Sequence, residues 1–244
     1  MSERIRLDLA IEQRGLLPSR ARARDAILRG TVSVNGAPAR KPNQMVGADD
    51  IVTLDDPAAA YVSRAALKLI AGLDSAAIDP AGKTCLDVGS CTGGFTQVLL
   101  ARGATHVFAV DVGHDQLHET LRADPRVTSL EGTNARDLDH ALISSPIDLV
   151  VSDVSFVSLT KVLAAPLALC APIAEAVLLF KPQFEVGRDH VGKGGIVTDS
   201  AAIEKSQAEI IAFVEAQGFR HRLSIASPIT GGDGNQEIVL VFSR

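Results

Sequence analysis

The chain has 244 residues, of which 46% are hydrophobic and only 4% are aromatic. This length accommodates one α/β domain with a small appendage, and the composition fits a buried parallel sheet of Val, Ile, Leu and Ala. No apolar run reaches the roughly 20 residues of a membrane-spanning helix, and the N-terminal sequence lacks the apolar core of a signal peptide. We therefore expect a cytoplasmic protein without a membrane partner.

Cysteine and histidine usage argues against a disulfide framework and against a metal site. The three cysteines, Cys85, Cys91 and Cys170, are too sparse for either. Because the six histidines show no ligand spacing, we predict no metal. Cys91 lies inside a glycine-rich turn, where we interpret it as a small buried residue rather than a ligand contact.

The net charge of −5 is unevenly distributed along the chain. Residues 1–54 carry nine Lys or Arg against six Asp or Glu, whereas the remainder carries fifteen against twenty-three. The N-terminal segment is therefore the basic one. Asp55-Asp56-Pro57 and the three alanines that follow predict a boundary, because proline stops regular structure and alanines pack little. We expect a first domain over 1–56, a linker over 57–62 and a second domain over 63–244.

The basic segment reads as two helices and a hairpin. Leu7 to Ile11 has helical spacing, and a second helix runs from its N-cap Ser19 to Gly30. Asn35-Gly36 then predicts a hairpin turn. The second helix carries four arginines, Arg20, Arg22, Arg24 and Arg29. On charge alone they predict either an anion-binding face or an ordinary solvated face.

The segment Asp87-Val-Gly-Ser-Cys-Thr-Gly-Gly-Phe95 follows an apolar strand and precedes a helix. Glycines allow positive φ and close ligand approach, and the helix N-terminus presents free N–H groups. The spacing differs from the Gly-x-Gly-x-x-Gly pattern that a dinucleotide oxidoreductase requires. A carboxylate beside the turn suits a ligand with positive charge and hydroxyl groups, such as S-adenosylmethionine. The alternative is a tight strand-to-helix turn with a surface aspartate.

Beyond this turn, strands and helices alternate, which predicts a parallel sheet with helices on both faces. A strand ending at Asp111 lies about 20 residues after the turn, where nucleotide-binding α/β folds place a ribose-hydroxyl acceptor. The predicted strands are 83–88, 106–111, 127–131, 147–152, 173–180, 219–227 and 236–243, and the predicted helices are 94–102, 114–122, 158–169 and 200–217. The last two strands suit an antiparallel return at the sheet edge.

Four further ionisable residues stand out by position. Asp153 and Lys181 each follow an apolar strand, so both should face the crevice outside the carboxyl ends of the strands. Lys68 lies on a helix that enters the domain, and Glu237 opens the final strand. Taken singly, each has an ordinary structural explanation, such as a solvated lysine, a helix cap or an edge-strand acid.

Together these residues resemble known families. The pattern Arg6-Leu-Asp-Leu-Ala, Ser19-Arg20 and Ile27-Leu-Arg-Gly30 resembles the S4-like RNA-binding domain. Lys68, Asp153, Lys181 and Glu237, in contexts such as Lys181-Pro-Gln-Phe-Glu185, resemble the Lys-Asp-Lys-Glu tetrad of FtsJ-like ribose 2′-O-methyltransferases. The combination is similar to the TlyA group of ribosomal RNA cytidine 2′-O-methyltransferases, some of which are called hemolysins. Two departures are the absence of tryptophan from the linker and the pair Ala65-Ala66 before Lys68.

The resemblance implies a Rossmann-like methyltransferase sheet with a small α+β S4-like domain, S-adenosylmethionine as cofactor, and ribosomal RNA or ribosomal subunits as partners. It implies that the tetrad is catalytic. The cofactor-binding residues it implies are Asp87, Gly89, Ser90, Thr92, Gly93, Gly94, Phe95, Asp111, Asn134 and Asp153, and the RNA-binding residues are Arg6, Arg20, Arg22, Arg24, Arg29 and Arg64. A noncatalytic RNA-binding protein and a membrane-active hemolysin are the alternatives.

The expected chemistry is an in-line methyl transfer to a ribose 2′-hydroxyl, for which Lys181 is the candidate general base. A free lysine has a pKa near about 10.4 and is mostly protonated at neutral pH. Burial and the like charge of Lys68 favour loss of the proton, whereas Asp153 and Glu237 oppose it. We expect the two acids to orient the lysines and the ribose.

Overall fold

The computed structural model describes residues 4–244, which divide into two compact units after Ala60. Met1 to Glu3, which belong to the predicted first domain and to the N-terminal sequence discussed above, lie outside the described residues. The division falls within the segment 57–62. Each unit is described by itself below.

The first unit combines two helices with two small antiparallel sheets. Its elements are β1 (Ile5–Arg6), α1 (Leu7–Gln13), α2 (Arg20–Arg29), β2 (Val32–Val34), β3 (Ala37–Pro38), β4 (Met45–Val46) and β5 (Val52–Leu54). β1 pairs with β4, while β3, β2 and β5 form a three-stranded sheet. Asn35 and Gly36 have φ of 51° and 80°, so the predicted hairpin turn is confirmed. Ser19 Oγ accepts the Arg22 N–H at 3.3 Å, which confirms the predicted N-cap of α2.

The segment after β5 is fixed against α2, contrary to the expectation that its alanines pack little. Ala58 is buried, and its carbonyl accepts a hydrogen bond from Arg22 Nη2 at 2.8 Å. Arg29 forms a fork of 2.8 and 2.6 Å with the carboxylate of Asp56, which also accepts the Ala58 N–H. These charge-assisted bonds hold the chain where it leaves the sheet.

The second unit is a seven-stranded, mostly parallel sheet with helices on both faces. Its strands are β6 (Thr84–Val88), β7 (His106–Asp111), β8 (Val127–Glu131), β9 (Ile147–Ser152), β10 (Cys170–Phe180), β11 (Arg220–Ala226) and β12 (Ile238–Ser243). Its α-helices are α3 (Ala66–Ala76), α4 (Gly94–Ala101), α5 (Glu119–Arg122), α6 (Leu159–Val162), α7 (Ala164–Ala168), α8 (Pro182–Glu185) and α9 (Ser200–Ala216). The strand order is β11-β12-β10-β9-β6-β7-β8, so the predicted α/β class is confirmed.

The sheet has a hydrophobic core on each face because neighbouring side chains of a strand point to opposite sides. Along β10, Leu178 packs into the core that α6, α7 and α9 cover, whereas Leu179 packs into the core beneath α3 and α4. Both leucines are at most 2% exposed. This burial on both faces explains why the central strands read as continuous apolar runs.

The last two strands lie at the edge of the sheet, as predicted, but β12 is the inner one of the pair, which excludes the edge-strand explanation of Glu237. β12 is antiparallel to both of its neighbours, β10 and β11, and β11 forms the edge. The antiparallel return itself is confirmed. Because β12 is covered on both sides, the acid that precedes it serves no purpose in protecting an edge.

The predicted helix over 114–122 is wrong in its first half. Only the last turn, α5, is helical, and Asp115 has a positive φ of 54°. The carboxylate of Glu131 accepts the N–H groups of Gln116 and Leu117 at 2.6 and 3.0 Å. A side chain from a neighbouring strand thus satisfies backbone donors that a helix would otherwise satisfy.

The predicted helix over 158–169 is two short helices, α6 and α7, that meet at Leu163. Pro166 is the cause. It has no N–H to donate to the carbonyl of Val162, and its ring collides with that carbonyl in a continuous helix. The break shortens both helices without exposing them, since Leu159 and Leu167 remain buried.

Candidate active site

The predicted site residues meet at one edge of the sheet. β6 lies between β9 and β7, so the strand order reverses there, and open α/β sheets bind ligands at such a point. The carboxyl ends of β7, β9 and β10 bring Asp111, Asp153 and Lys181 to this edge. Antiparallel β12 begins at the same edge, since Ile238 pairs with Phe180, and it brings Glu237 next to Lys181.

The glycine turn is fixed by its packing and by Asp111. Gly93 has a φ of 93°, and a Cβ on it would lie 2.3 Å from Leu121 Cδ1, so only glycine fits. Asp111 accepts the N–H of Cys91 at 2.9 Å and that of Gly113 at 2.7 Å. A carboxylate has room for about four hydrogen bonds, so Asp111 can still accept from a ligand hydroxyl.

A cavity of about 430 Å³ opens beside this turn. Four residues predicted from the sequence line it, namely Gly89, Asp111, Asn134 and Asp153, and Cys91 lines it as well. Cys91 is exposed with a φ of 46°, so the expectation of a buried residue was wrong. Asn134 uses its side-chain oxygen to cap Arg136 N–H at 3.1 Å, which leaves its amide N–H₂ for a ligand.

Gly113 and Gln116 are among the residues of this cavity that sequence reasoning missed. A Cβ on Gly113 would lie 2.2 Å from Gln116 Nε2, so the glycine makes room for the glutamine side chain. The signal in the sequence was the glycine two residues after Asp111. Gln116 carried no signal, because it stands in the stretch that was predicted to be helical.

A smaller cavity of about 150 Å³ adjoins the first. It is lined by four further residues predicted around the turn, Ser90, Thr92, Gly94 and Phe95, and by Lys181, whereas the predicted Gly93 lines neither cavity. The Ser90 hydroxyl is buried and has no hydrogen-bond partner among the described residues. Asp153 lines both cavities and so lies where they meet.

Asp87 lies beneath the turn and lines neither cavity. It is fully buried, with one carboxylate oxygen bonded to Thr96 Oγ1 at 2.7 Å and the other without a hydrogen-bond partner among the described residues. Burial, reinforced by the negative charge of Asp153, raises the pKa of Asp87 to about 7. The surface aspartate of the alternative reading is therefore excluded, and the side chain faces the core rather than the crevice.

Lys68, Asp153, Lys181 and Glu237 form one buried cluster. Lys68 Nζ lies 2.5 Å from Glu237 Oε2 and 3.8 Å from Asp153 Oδ2. Lys181 Nζ lies 2.6 Å from Asp153 Oδ1. Two cations and two anions cancel, which makes their burial tolerable.

Helix α3 delivers Lys68 to the cluster because it packs very closely on the sheet. A Cβ on Gly72 would lie 2.8 Å from side-chain carbons of both Val177 and Val239, so glycine allows the approach. Lys68 stands one turn before Gly72 on the same face and is only 6% exposed. The sequence marked Lys68 only through its resemblance, since a helical lysine is ordinarily solvated.

Ser155 is a further site residue that sequence reasoning did not assign. Lys181 Nζ donates a hydrogen bond to Ser155 Oγ at 2.7 Å, and Ser155 lines both cavities. Its position two residues after Asp153 was the available signal. The bond gives the Lys181 amine a second partner besides Asp153.

The predicted RNA-binding arginines fall into two groups. Arg22 and Arg29 are directed inward, where they hold Ala58 and Asp56 as described above. Arg29 also bonds Asp25 at 2.8 Å, and its side chain is 16% exposed. Arg22 and Arg29 therefore do not lie on a solvent-facing surface of α2, as was expected for RNA-binding residues.

Of the other four arginines, three are more open and Arg64 is half-buried. Arg6 and Arg20 are about half exposed and share the carboxylate of Asp8. Arg24 is exposed and forms no ion pair within residues 4–244. Arg64 is half-buried in the second unit, with Nη2 3.9 Å from where a Cβ on Gly232 would stand.

Comparison with known proteins gives the family of both units. The FtsJ-like methyltransferase family matches residues 61–244, and the S4 domain family matches residues 5–52. The 16S/23S rRNA (cytidine-2′-O)-methyltransferase TlyA of Mycobacterium tuberculosis is 45% identical over 98% of this chain and 90% of its own length. Hemolysin A of Brachyspira hyodysenteriae is 40% identical over 98% of this chain and 99% of its own. A solved structure described as a hemolysin from Streptococcus thermophilus has a TM-score of 0.77 at 34% identity, covering 100% of this chain and 90% of its own.

The residues at the sheet edge fit S-adenosylmethionine, the cofactor of this family. Asp111 offers acceptors for hydroxyl groups, Asn134 an amide donor, and Ser90 an unpartnered buried hydroxyl. Asp153 places negative charge where the two cavities meet, which suits a cationic ligand. When bound, the cofactor supplies an electrophilic methyl group on a sulfonium. The chain belongs to the FtsJ-like methyltransferases, in the TlyA group that joins an S4 domain to the methyltransferase unit.

Proposed function

We propose that this enzyme methylates the ribose 2′-hydroxyl of a cytidine in ribosomal RNA, in the cytoplasm and within ribosomal subunits or their RNA. The single observation that carries the proposal is the cluster of Lys68, Asp153, Lys181 and Glu237 beside the cofactor cavities. The name of the 45% identical relative supports the choice of nucleotide. The domain limits 1–56, 57–62 and 63–244 are part of the same proposal.

Lys181 is the residue that accepts the hydroxyl proton, at Nζ, after the ammonium of its ion pair with Asp153 has lost a proton to solvent. It is the lysine that lines the smaller cavity, whereas Lys68 Nζ is held by Glu237 at 2.5 Å. Ser155 and Asp153 fix the amine on two sides at 2.7 and 2.6 Å, which limits the positions it can take relative to a bound ribose. Positioning of this kind contributes several kcal/mol to catalysis, about 7 or more in favourable cases.

Lys68, Asp153 and Glu237 keep that amine in place and balance its charge. Lys68 adds a second positive charge 3.8 Å from Asp153, so that carboxylate is shared by the two lysines. Glu237 neutralises Lys68 in turn. The set acts as a unit, so loss of any one member disturbs the charge of the others.

An exposed aromatic ring supports a single-stranded RNA substrate. Phe156 is 90% exposed, adopts a φ of 66° and packs at 5.1 Å on Phe184. It lines the larger cavity immediately after Ser155. A non-glycine residue held in this conformation with its ring in solvent is typical of a functional position. Unstacked bases bind to such rings.

The first unit supplies the basic surface for the RNA. Arg6, Arg20 and Arg24 are its predicted contacts that face solvent. Arg22 and Arg29, used inside the unit, contribute positive potential rather than direct contacts. Arg64 of the second unit adds a cation just before the helix that carries Lys68.

Replacement of Lys181 by arginine tests the proposal. Lys181→Arg keeps the positive charge but cannot accept a proton near neutral pH, so single-turnover methyl transfer should fall at least about 100-fold. Transfer is measured with tritiated S-adenosylmethionine on ribosomal subunits, and the modified nucleotide is mapped by mass spectrometry. Lys161→Arg, on the exposed surface of α6, is the matched control and should keep the parental rate.

Two other results would each support a different function. Absence of methyl transfer to any ribosomal RNA, with cofactor binding intact by calorimetry, would indicate a noncatalytic RNA-binding protein. Lysis of erythrocytes by the purified chain would indicate a hemolysin. Within residues 4–244, no helix combines the length and hydropathy that crossing a membrane requires.

A further inference from the structure

A buried acid lies within the basic surface of the first unit. Asp8 is 1% exposed and stands in the first turn of α1. Its carboxylate accepts a fork from Arg6, with Nε and Nη2 at 3.0 and 2.9 Å, and a third bond from Arg20 Nε at 3.0 Å. Both oxygens are therefore occupied by guanidinium groups. These bonds lower the pKa of Asp8 to about 2, so the carboxylate stays charged at working pH.

The two arginines keep most of their donors for something else. A guanidinium carries five N–H donors, and the bonds to Asp8 use two on Arg6 and one on Arg20. The side chains are 44% and 52% exposed, so the remaining donors face solvent. Two planar groups that share one carboxylate present their free edges at a fixed separation, which suits the oxygen atoms of a phosphate.

We propose that Asp8 is a positioning residue that holds Arg6 and Arg20 as a two-guanidinium site for RNA backbone phosphate. This inference rests on the RNA substrate proposed above. It assigns a role in RNA binding to Asp8, whose negative charge is opposite to that of the surrounding surface. Arginine side chains lose rotamer entropy when they bind, and Asp8 removes that loss beforehand by fixing both of them. The entropic gain must exceed the electrostatic repulsion between Asp8 and phosphate.

The sign of one substitution distinguishes this role from simple electrostatics. Asp8→Asn removes a negative charge, so charge alone predicts tighter RNA binding, whereas loss of positioning predicts weaker binding. Asp49→Asn makes the same change in net charge at an exposed aspartate of the same unit. Affinity for in vitro transcribed 16S and 23S ribosomal RNA is measured by filter binding with the full chain at several KCl concentrations.

We expect Asp8→Asn to bind about tenfold more weakly than the parent, with a shallower dependence of affinity on salt, because fewer phosphate contacts release counterions. Asp49→Asn should bind as tightly as the parent or more tightly. A purely structural role for Asp8 would lower stability but leave the salt slope of the folded protein unchanged. Equal or tighter RNA binding by Asp8→Asn overturns the inference.

A second variant covers the case in which Asp8→Asn does not fold. Arg6→Lys with Arg20→Lys keeps both positive charges and the buried acid but removes the planar forks. We expect severalfold weaker RNA binding with a normal far-ultraviolet circular dichroism spectrum, and parental affinity would refute the positioning role. If the parent chain itself fails to bind ribosomal RNA, the proposed function fails and this inference with it. Parental binding by the variants removes this inference alone.

Discussion

Buried acids in the first unit are bonded by arginine, whereas those in the second unit are paired with lysine or, for Asp87, bonded by a hydroxyl group. Asp8 and Asp56 each receive a guanidinium fork. Asp153 and Glu237 lie 2.6 and 2.5 Å from the Nζ atoms of Lys181 and Lys68, and Asp87 accepts the Thr96 hydroxyl at 2.7 Å. Arginine stays protonated at working pH, whereas a buried lysine can lose its proton, so only the cluster of the second unit is suited to proton transfer.

The pKa values of the two most buried acids express the same difference. Asp8 and Asp87 are at most 1% exposed, yet the pKa of Asp8 is about 2 and that of Asp87 about 7. Bonds to two arginines stabilise the charged form of Asp8, whereas burial with a single hydroxyl partner destabilises that of Asp87. Burial alone therefore does not determine the pKa of an acid, which depends also on the charged donors that contact it.

The largest expected effect concerns the cluster at the sheet edge. Glu237→Leu leaves Lys68 buried with only the more distant Asp153 as partner, and should lower the free energy of unfolding by about 3 kcal/mol. Lys68→Met combined with Glu237→Leu removes the whole pair and should restore much of that stability without restoring methyl transfer. Urea unfolding followed by circular dichroism measures both. Equal stability of the single and double variants would contradict the claim that the pair is balanced by charge.

A smaller loss is expected where arginine fills the carboxylate. Asp56→Ala removes two charge-assisted bonds from Arg29 and should cost the first unit about 2 kcal/mol in unfolding free energy. Asp55→Ala, at the exposed neighbouring aspartate, is the control and should change stability by less than about 0.5 kcal/mol. Urea titration of the full chain measures the free energy of unfolding of both variants and of the parent. Matching losses in the two variants would show that the fork to Arg29 contributes nothing specific.

The smallest effect is a change in pH dependence. Because the pKa of Asp87 is raised to about 7, its contribution to stability is present at acid pH and is lost as pH rises through 7. The free energy of unfolding of the parent should therefore fall by about 1 kcal/mol between pH 6 and pH 7. Asp87→Asn, which cannot ionise at this position, should not show that fall. The contribution of Asp8, whose pKa is lowered, is instead lost as pH falls from about 4 to 2. If the stability of Asp87→Asn and of the parent changed with pH in the same way, the pKa of Asp87 would not be raised in the folded protein.

Local sequence patterns predicted the strands of the sheet more reliably than the segments between them. The seven strands were confirmed because continuous apolar runs mark strands that are buried on both faces. The segment over 114–122 failed because Glu131, on another strand, takes the N–H groups of Gln116 and Leu117. A bond between residues so far apart along the chain leaves no periodicity for a local pattern to detect.

The candidate site divides in the same way. The acids at the ends of β7 and β9, Asp111 and Asp153, were found from the sequence because parallel strands bring their carboxyl ends together. Gln116 and Ser155 were not assigned, since their roles depend on which neighbours they meet. Asp87 was found but expected in the crevice, and only its packing against Thr96 reveals that it faces inward.

By itself, the sequence determined the alternation of strands and helices, the glycine turn, and the acids and lysine that follow apolar strands, because backbone conformation and strand burial depend on neighbouring residues. The tertiary structure decided which ionisable groups are paired. It joined Lys68 to Glu237, directed Arg22 and Arg29 inward, and left Arg6 and Arg20 on the surface around Asp8. Ion pairing and pKa depend on distances of a few ångströms between residues remote in the chain, and those distances exist only once the elements have packed.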